Sequence, residues 1–292
     1  MTATFGSART VASSPTTPGA ADRPRSAGQG HRWQSVVGAV GWRVLGVVVF
    51  VALWHVIALN VDSRAILPGP LTVLTDFADS FFDDPGLRYL GVRSPGVAIN
   101  LAWTVGLAVL AWAVGSTLGA TVGLLSSRIQ WVRNVAEPLF FVFGAVPALV
   151  LAPFFLVWFG QGHTNKVVLV GFYCFVSVGL VAQSAAAAFP RTSEEYAATQ
   201  GLDSRARFLH VIVPGTLQSV LSGLRIALAT GIAVQATVEL LGSQIGIGRL
   251  ISLRAGQGDV SGVLGLSIAL GIVAIVADLI LRQGIRTLTR WQ

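Results

Sequence analysis

The chain has 292 residues, of which 53% are apolar and 11% are charged, and its mean hydropathy is +0.70. Soluble proteins carry roughly 25% charged residues, so this composition excludes a water-soluble globule, a disordered chain and a disulfide-stapled secreted module. The net charge of +7 does not indicate nucleic-acid binding, because the basic residues are scattered between apolar blocks. The composition predicts an integral membrane protein.

The N-terminal segment differs in composition from the rest of the chain. Residues 1–35 are rich in Ser, Thr, Pro, Gly and Ala, and such a segment cannot bury enough apolar surface to offset the entropy cost of ordering. We expect residues 1–35 to form a disordered cytoplasmic tail and residues 36–292 to form the transmembrane domain. The apolar stretch 40–59 is longer than the hydrophobic region of a signal peptide, which favours an uncleaved membrane helix.

Six apolar stretches are long enough to cross a bilayer, whose core of about 30 Å requires about 20 helical residues. We expect the third stretch to be broken at Pro147 and at Pro153, since proline is tolerated in a membrane helix only where neighbours or a water-filled cavity satisfy the freed carbonyls. We expect this helix to face the protein interior; a kink without function is the alternative. The six stretches are 40–59, 97–125, 135–159, 166–189, 216–241 and 260–282.

The arginines indicate the orientation of the spans. They are concentrated in the N-terminal tail, around 128–133, in 191–225 and at the C-terminus. Because basic residues accumulate on the cytoplasmic side of membrane proteins, we place both termini in the cytoplasm. The sequence therefore predicts an all-α, multi-pass membrane protein with about six transmembrane helices.

The second apolar stretch carries a ladder of small residues. Gly115, Gly119 and Gly123 recur at four-residue spacing, a pattern typical of close helix packing. The ladder can serve packing within the chain or across a dimer. No convincing internal duplication is present, so a two-lobed pathway requires a second copy or a paralogue.

The segment 190–215, between the fourth and fifth stretches, is unusually long and organised. Thr192 and Glu195 have the spacing of a capping box, which predicts a helix start. Gly201 is placed to end this helix in the left-handed conformation, and Asp203 is placed to cap a second short helix. We expect two short helices around a glycine turn.

Two further features of this segment bear on its role. Pro214 suits the first turn of the next membrane helix, and Ala197 and Ala198 leave the first short helix with little bulk, so another protein could approach its backbone. The segment is therefore either a docking element or a structural connector.

The same segment resembles the EAA loop of ABC-importer permeases, whose pattern is E-A-A-x-x-x-G-x9-I-x-L-P. Residues 195–201 read EYAATQG and, nine residues later, residues 211–214 read VIVP. The departures are Tyr196, Val211 and Val213. In that family the loop is the coupling helix that enters a cleft of the ATPase subunit. The resemblance implies contact with the ATPase by Glu195, Ala197, Ala198, Gly201, Val211 and Pro214.

The resemblance extends from about residue 40 to residue 285. Segments 67–70, 147–160, 223–225 and 239–248 are similar to permeases of the nitrate/sulfonate/taurine type. A departure lies in 175–184, where that subgroup often has a Pro and a Thr. The resemblance implies the type I ABC-importer permease fold, and a translocation path for a small substrate such as an alkanesulfonate, taurine or nitrate.

The resemblance also implies partners and a location. These are a second permease copy, two ATP-binding subunits that hold ATP and Mg, and an extracytoplasmic binding protein, assembled in the cytoplasmic membrane of a prokaryote. We expect no cofactor on this chain. The candidate residues of the translocation path are Pro147, Gln183, Ser184 and Glu239.

The sequence contains no motif for ATP hydrolysis. The only lysine, Lys166, lies between Asn165 and Val167, so the chain has no Walker A motif. We found no catalytic set and no metal-ligand spacing among the four histidines. We therefore expect a permease that is not an enzyme, with ATP hydrolysed by a partner subunit.

Two carboxylates lie in apolar stretches, where a charge usually faces protein or water. Glu239 either lines the path or holds the segment that contains Gly246 and Gly248, and Asp278 is spaced to pair with Arg282. The alternative function is an ion-coupled secondary transporter without ATPase partners, which would require functional intramembrane charges in the last two helices.

Overall fold

The computed structural model describes residues 29–61, 63 and 66–288. The predicted tail therefore lies outside the described residues, except for 29–35, which are helical. The chain is divided into two compact units, with the boundary after Leu53. The first helix therefore begins in one unit and ends in the other. Within the described ranges, the chain consists of α-helices, one π-helical turn and connecting loops, and it contains no strand.

The helices follow one another along the chain with short connections. In chain order they are α1 (Gln29–Val61), α2 (Pro70–Asp79), α3 (Pro85–Tyr89), α4 (Val97–Ser126), α5 (Gln130–Ala145), α6 (Ala148–Phe159), α7 (His163–Ala187), α8 (Arg191–Thr199), α9 (Ser204–Arg207), the π-helical turn (Phe208–Ile212), α10 (Val213–Leu240), α11 (Ile247–Gly256) and α12 (Val260–Leu288).

In the part of the chain that the structure describes, five helices, α1, α4, α7, α10 and α12, are long and apolar enough to cross a membrane. The remaining predicted stretch is divided into α5 and α6, whose axes differ by 106°. The bend lies at Pro147, because a proline excludes the preceding residue, here Val146, from helical geometry. Pro153 lies inside α6 and does not break it, so that part of the prediction was wrong. The all-α membrane fold with about six spans is confirmed.

The centre of the bundle is the contact between α4 and α7. A Cβ atom at Gly115 would overlap the carbonyl oxygen of Gly171, and one at Gly123 would overlap that of Gly179. Gly119 lies between them and meets the carbonyl of Phe175 in the same way. The two backbones therefore touch along several turns, and the glycine ladder serves packing within the chain.

α10 packs against this pair, and α12 packs against α10. The indole Nε1 of Trp112 on α4 donates to the carbonyl of Leu224 on α10 at 2.9 Å. Arg225 on α10 donates from Nε and Nη2 to both carboxylate oxygens of Asp278 on α12, at 2.8 and 2.7 Å. The prediction that Asp278 pairs with Arg282 was therefore wrong. Its two carboxylate oxygens accept hydrogen bonds from the guanidinium of Arg225 on the neighbouring helix, which is a bidentate geometry.

Short helices gather at the end of the bundle where α4 begins. Asp84 caps α3 by accepting from the backbone N–H of Gly86 at 2.9 Å. Arg254 of α11 contacts the carboxylates of both Asp84 and Asp259. These contacts attach α3 to α11 and define the α11 end of the bundle, opposite the α8 end.

Candidate functional site

The segment at the α8 end forms the predicted pair of short helices. α8 begins at Arg191, directly after Pro190, and no side chain caps its first turn. The predicted capping box was therefore wrong. The helix begins one residue before Thr192, so that Thr192 lies inside the first turn and Glu195 is free to face outward.

Gly201 ends α8 as predicted, with a φ of 82°. Its N–H donates to the carbonyl of Ala198 at 3.0 Å, and the N–H of Leu202 donates to that of Ala197 at 3.3 Å. These two bonds constitute a Schellman motif, which satisfies carbonyls that the end of a helix leaves unpaired. The turn ends α8 before Leu202.

The return to the membrane also follows the local chemistry. Asp203 caps α9, as predicted, by accepting from the N–H of Ala206 at 2.8 Å. The N–H of Val213 bonds to the carbonyl of Phe208, five residues back. This wider turn is explained by Pro214, whose ring would clash with the carbonyl four residues before it in a regular helix. Pro214 lies in the first turn of α10, as predicted.

The residues predicted to couple to an ATPase differ in their exposure to solvent. Glu195 and Ala198 are exposed on α8 beside Tyr196, which is 69% exposed. Ala197 is buried and faces this chain's own helices, so it supports α8 from within. The predicted coupling residues that lie outside α8 are Gly201, which is exposed, and Val211 and Pro214, which are half-buried.

An open cavity of about 560 Å³ lies between α8 and the ends of α4, α5 and α7. Gln183 and Ser184, predicted to line the path, both lie in its wall, together with Arg133 and Glu137 of α5. At the edge of the cavity, Arg128 Nη2 donates to Glu194 Oε2 at 3.1 Å. The sequence did not indicate this ion pair, because its partners are distant along the chain.

Pro147 lies at a second open cavity, of about 550 Å³, at the bend between α5 and α6. Tyr173 of α7 and Thr237 of α10 line the same cavity. The structure thus separates Pro147 from Gln183 and Ser184 along the bundle, although all three border open space. Tyr173 and Thr237 are polar residues of the spans, and no sequence motif indicated them.

Glu239 is fully buried at the α11 end. Its carboxylate accepts from Thr104 Oγ1 at 2.8 Å, from Gln235 Nε2 at 2.9 Å and from the N–H of Gly248 at 3.1 Å. Of the two predicted roles, this geometry supports holding the Gly246–Gly248 segment. It does not support a place in the path, since the carboxylate is enclosed by donors of its own chain.

The start of α11 is held from α4 as well. The N–H of Gly246 donates to Asn100 Oδ1 at 2.8 Å, and that of Ile247 donates to Thr104 Oγ1 at 2.9 Å. The first N–H groups of a helix have no partner within it, so these side chains supply the missing acceptors. Asn100 and Thr104 are polar residues four positions apart in an apolar helix, and this spacing could have indicated the site from the sequence.

Lys166 is also part of this polar region. It is buried at the start of α7 and donates to Ser243 Oγ, which in turn donates to the carbonyl of Ile245. The lysine therefore attaches α7 to the loop before α11. Among the described residues, no group of three or more His, Cys, Asp or Glu residues is arranged to hold a metal ion.

Comparison with known sequences shows which protein family and which individual proteins this chain is similar to. Residues 115–290 match the model of the family described as binding-protein-dependent transport system inner membrane component. The taurine transport system permease protein TauC of Escherichia coli strain K12 is 30% identical over 240 residues, which are 82% of this chain and 84% of that protein. The formylaminopyrimidine transport permease protein ThiX of Halalkalibacterium halodurans is 26% identical, covering 82% of this chain and 91% of that protein.

Comparison with solved structures supports the fold. A chain from an amino acid ABC transporter crystallised with histidines superposes with a TM-score of 0.55 at 18% identity, covering 71% of this chain and 97% of that chain. A chain of the inward-facing MetNI methionine ABC transporter gives a TM-score of 0.57 at 17% identity, covering 65% of this chain and 95% of that chain. At these identities the likeness establishes the arrangement of helices alone.

Proposed function

The chain belongs to the family of inner membrane components of binding-protein-dependent transport systems, and from this premise we propose that two copies of it enclose a translocation path for a small substrate. It is the membrane-spanning permease subunit of an ABC importer. Members of this family are not themselves enzymes, and they work with ATP-binding and substrate-binding partners. ATP and Mg²⁺ would bind to the ATP-binding subunits, because this chain has no Walker A motif.

We propose that α8 is the element that an ATP-binding subunit contacts. It projects from the bundle, its outward face carries Glu195, Tyr196 and Ala198, and the left-handed turn at Gly201 sets its length. Two permease copies would carry two such helices, one for each ATP-binding subunit. ATP binding would draw these subunits together, and α8 would carry that movement to the membrane helices.

The orientation proposed from the arginines agrees with this assignment. The α8 end carries Arg128, Arg133, Arg191, Arg205 and Arg207, as expected of a cytoplasmic face. The α11 end would then face outward and receive the binding protein. Both chain termini would lie in the cytoplasm, in a prokaryotic inner membrane.

We propose a small substrate such as taurine, an alkanesulfonate or nitrate. Arg133 lies in the wall of the cavity that Gln183 and Ser184 also line, and its hydrogen bonds go to the backbone carbonyls of Ser126 and Ser127. Its positive charge would favour a substrate that carries a sulfonate or nitrate group. TauC, a relative, is named for taurine transport.

The first experiment is affinity purification of this chain from its native membrane, followed by identification of the proteins that accompany it. We expect an ATP-binding subunit with the wild type, and its loss from a Glu195→Lys, Gly201→Val double variant that is still inserted. Reconstituted complex should import taurine only with ATP. Import that persists without ATP but collapses with an ion gradient would establish an ion-coupled transporter instead.

A further inference from the structure

The Arg128–Glu194 ion pair joins α8 to the corner between α4 and α5. Arg128 lies in the short connection between these helices, and its contact with Glu194 spans 3.1 Å. The side chains are 24% and 26% exposed, so the pair is partly shielded from water and salt. Such shielding strengthens an ion pair relative to one on an open surface.

The arginine projects from a fixed backbone. The N–H of Arg128 donates to the carbonyl of Leu125 at 2.9 Å, which continues the last turn of α4. Arg133 of α5 donates from Nε to the carbonyl of Ser126 at 3.1 Å and from Nη2 to that of Ser127 at 3.3 Å. The corner is therefore held from both helices, and a force on Arg128 reaches α4 directly.

Apart from the ion pair, α8 packs against α9 and the π-helical turn. α8 follows α7 after the three residues 188–190, and the ring of Phe189 lies against Gly215 of α10. On the side of α4 and α5, the cavity of about 560 Å³ takes the place of packed side chains. Because α4 and α7 touch along their backbones, α4, α7 and α8 form a triangle whose last side is closed by the ion pair.

We propose that the Arg128–Glu194 pair is a strut that fixes the angle of α8 against the α4–α7 pair, so that a displacement of α8 moves both helices together. This inference rests on the proposed function, because it requires that the ATP-binding subunit acts on α8. The two neighbouring glutamates have different roles in this proposal. Glu195 is exposed and available to the ATP-binding subunit, whereas Glu194 is half-buried and pairs with Arg128 of its own chain. Arg128 and Glu194 are positioning residues and do not contact substrate.

The test measures the angle of α8 directly in the assembled complex of permease and ATP-binding subunits. Spin labels are attached at Gln200→Cys, directly after α8, and at Trp131→Cys on α5, both exposed positions. The native Cys174 is buried and does not need to be replaced. Labelled chain is diluted with unlabelled chain, and the distance distribution is recorded without nucleotide and after trapping with ATP and vanadate.

Four variants are compared with the wild type in the same labelled background. Glu194→Gln removes one charge of the pair while keeping side-chain size, and Arg128→Gln removes the other with a shorter polar side chain. Arg128→Glu combined with Glu194→Arg restores the pair in the reverse order. Asp83→Asn is the matched control, since it removes an ion pair with Arg88 at the opposite end of the bundle.

We expect a narrow distance distribution, equal in both nucleotide states, for the wild type, the reversed pair and Asp83→Asn. In each single-charge variant the distribution should be about twofold broader or more, as α8 samples additional orientations, with the unfolding temperature unchanged. A distribution unaffected by Glu194→Gln, or not restored by the reversed pair, overturns the strut. If no ATP-binding subunit assembles with the wild type, the proposed function fails, and the strut with it.

Discussion

Glycines occupy positions in this chain from which a side chain is excluded for different physical reasons. Gly201 has open space around it, so only its φ of 82° excludes other residues. Gly246 has a φ of 117°, and a Cβ there would also overlap the carboxylate of Glu239. The first glycine sets the course of an exposed turn, and the second permits a buried hydrogen-bond network.

Replacing Gly201 with valine should separate ATP hydrolysis from import. A β-branched residue in the left-handed region costs about 1–2 kcal/mol or more, which would displace the end of α8 without altering the membrane core. The measurement is the ratio of molecules imported to ATP hydrolysed in proteoliposomes. Gly258→Val is the control, because Gly258 has a φ of 72° and equally open surroundings at the opposite end. Normal coupling in Gly201→Val would contradict the assignment of α8.

Replacing Gly246 with alanine should destabilise the folded chain by about 2 kcal/mol or more, since backbone strain and overpacking are each worth roughly 1–3 kcal/mol. The measurement is the thermal unfolding temperature in detergent. Gly256→Ala, at the other end of the same helix, meets no atom within 4 Å and should leave that temperature unchanged. Equal unfolding temperatures for both variants would show that the Glu239 network does not hold α11.

At the residue scale, local chemistry could be predicted and distant pairing could not. Gly201, Asp203 and Pro214 were identified correctly because turns and caps depend on neighbours in sequence. Asp278 was assigned to Arg282, one turn away, whereas its partner Arg225 lies on another helix. Pairs of this kind depend on which helices are adjacent, and a single sequence does not contain that information.

At the scale of helices, the contact between α4 and α7 organises the bundle. Backbones that touch gain dispersion contacts along their whole length, which is the main attraction available between helices in lipid. The ladder of Gly115, Gly119 and Gly123 makes this approach possible. α10 then packs against both helices around Cys174 and Ala227.

Replacing Gly119 with leucine should prevent this contact, because the carbonyl of Phe175 occupies the position of the new Cβ. Neither backbone can move aside, so we expect loss of most of the folded protein, in keeping with a cost beyond the usual 1–3 kcal/mol of overpacking. The measurement is the monodisperse fraction in size-exclusion chromatography. Gly106→Leu, on the same helix but in open space, should behave as the wild type. A folded Gly119→Leu chain would refute the close contact.

The hydropathy of the sequence predicted the residue ranges of the membrane helices better than it predicted the angles between helices. The five long spans were predicted because a bilayer requires apolar helices of a set length. The bend of 106° between α5 and α6 was not, because Pro147 shows where a helix is interrupted but not the angle at which the next one leaves. The angle depends on how α6 packs against α7.

At the scale of the whole molecule, the α8 and α11 ends should face opposite sides of the membrane. Cys174 is the only cysteine and is buried, so an introduced cysteine is the main reactive thiol. A membrane-impermeant maleimide should label Tyr89→Cys on α3 in intact cells and should label Gln200→Cys, directly after α8, only after permeabilisation. The reverse pattern would invert the orientation inferred from the arginines.

The backbone contact between α4 and α7 also has a consequence for synthesis. The chain is made from its N-terminus, so α4 enters the bilayer before α5, α6 and α7 exist. Until α7 emerges, the glycine face of α4 lacks the helix that covers it in the folded chain. The bent pair α5–α6 must therefore be placed so that α7 returns beside α4. Nascent chains that stop before residue 163 would present an uncovered glycine groove, the kind of surface by which membrane quality control could distinguish unfinished copies from complete ones.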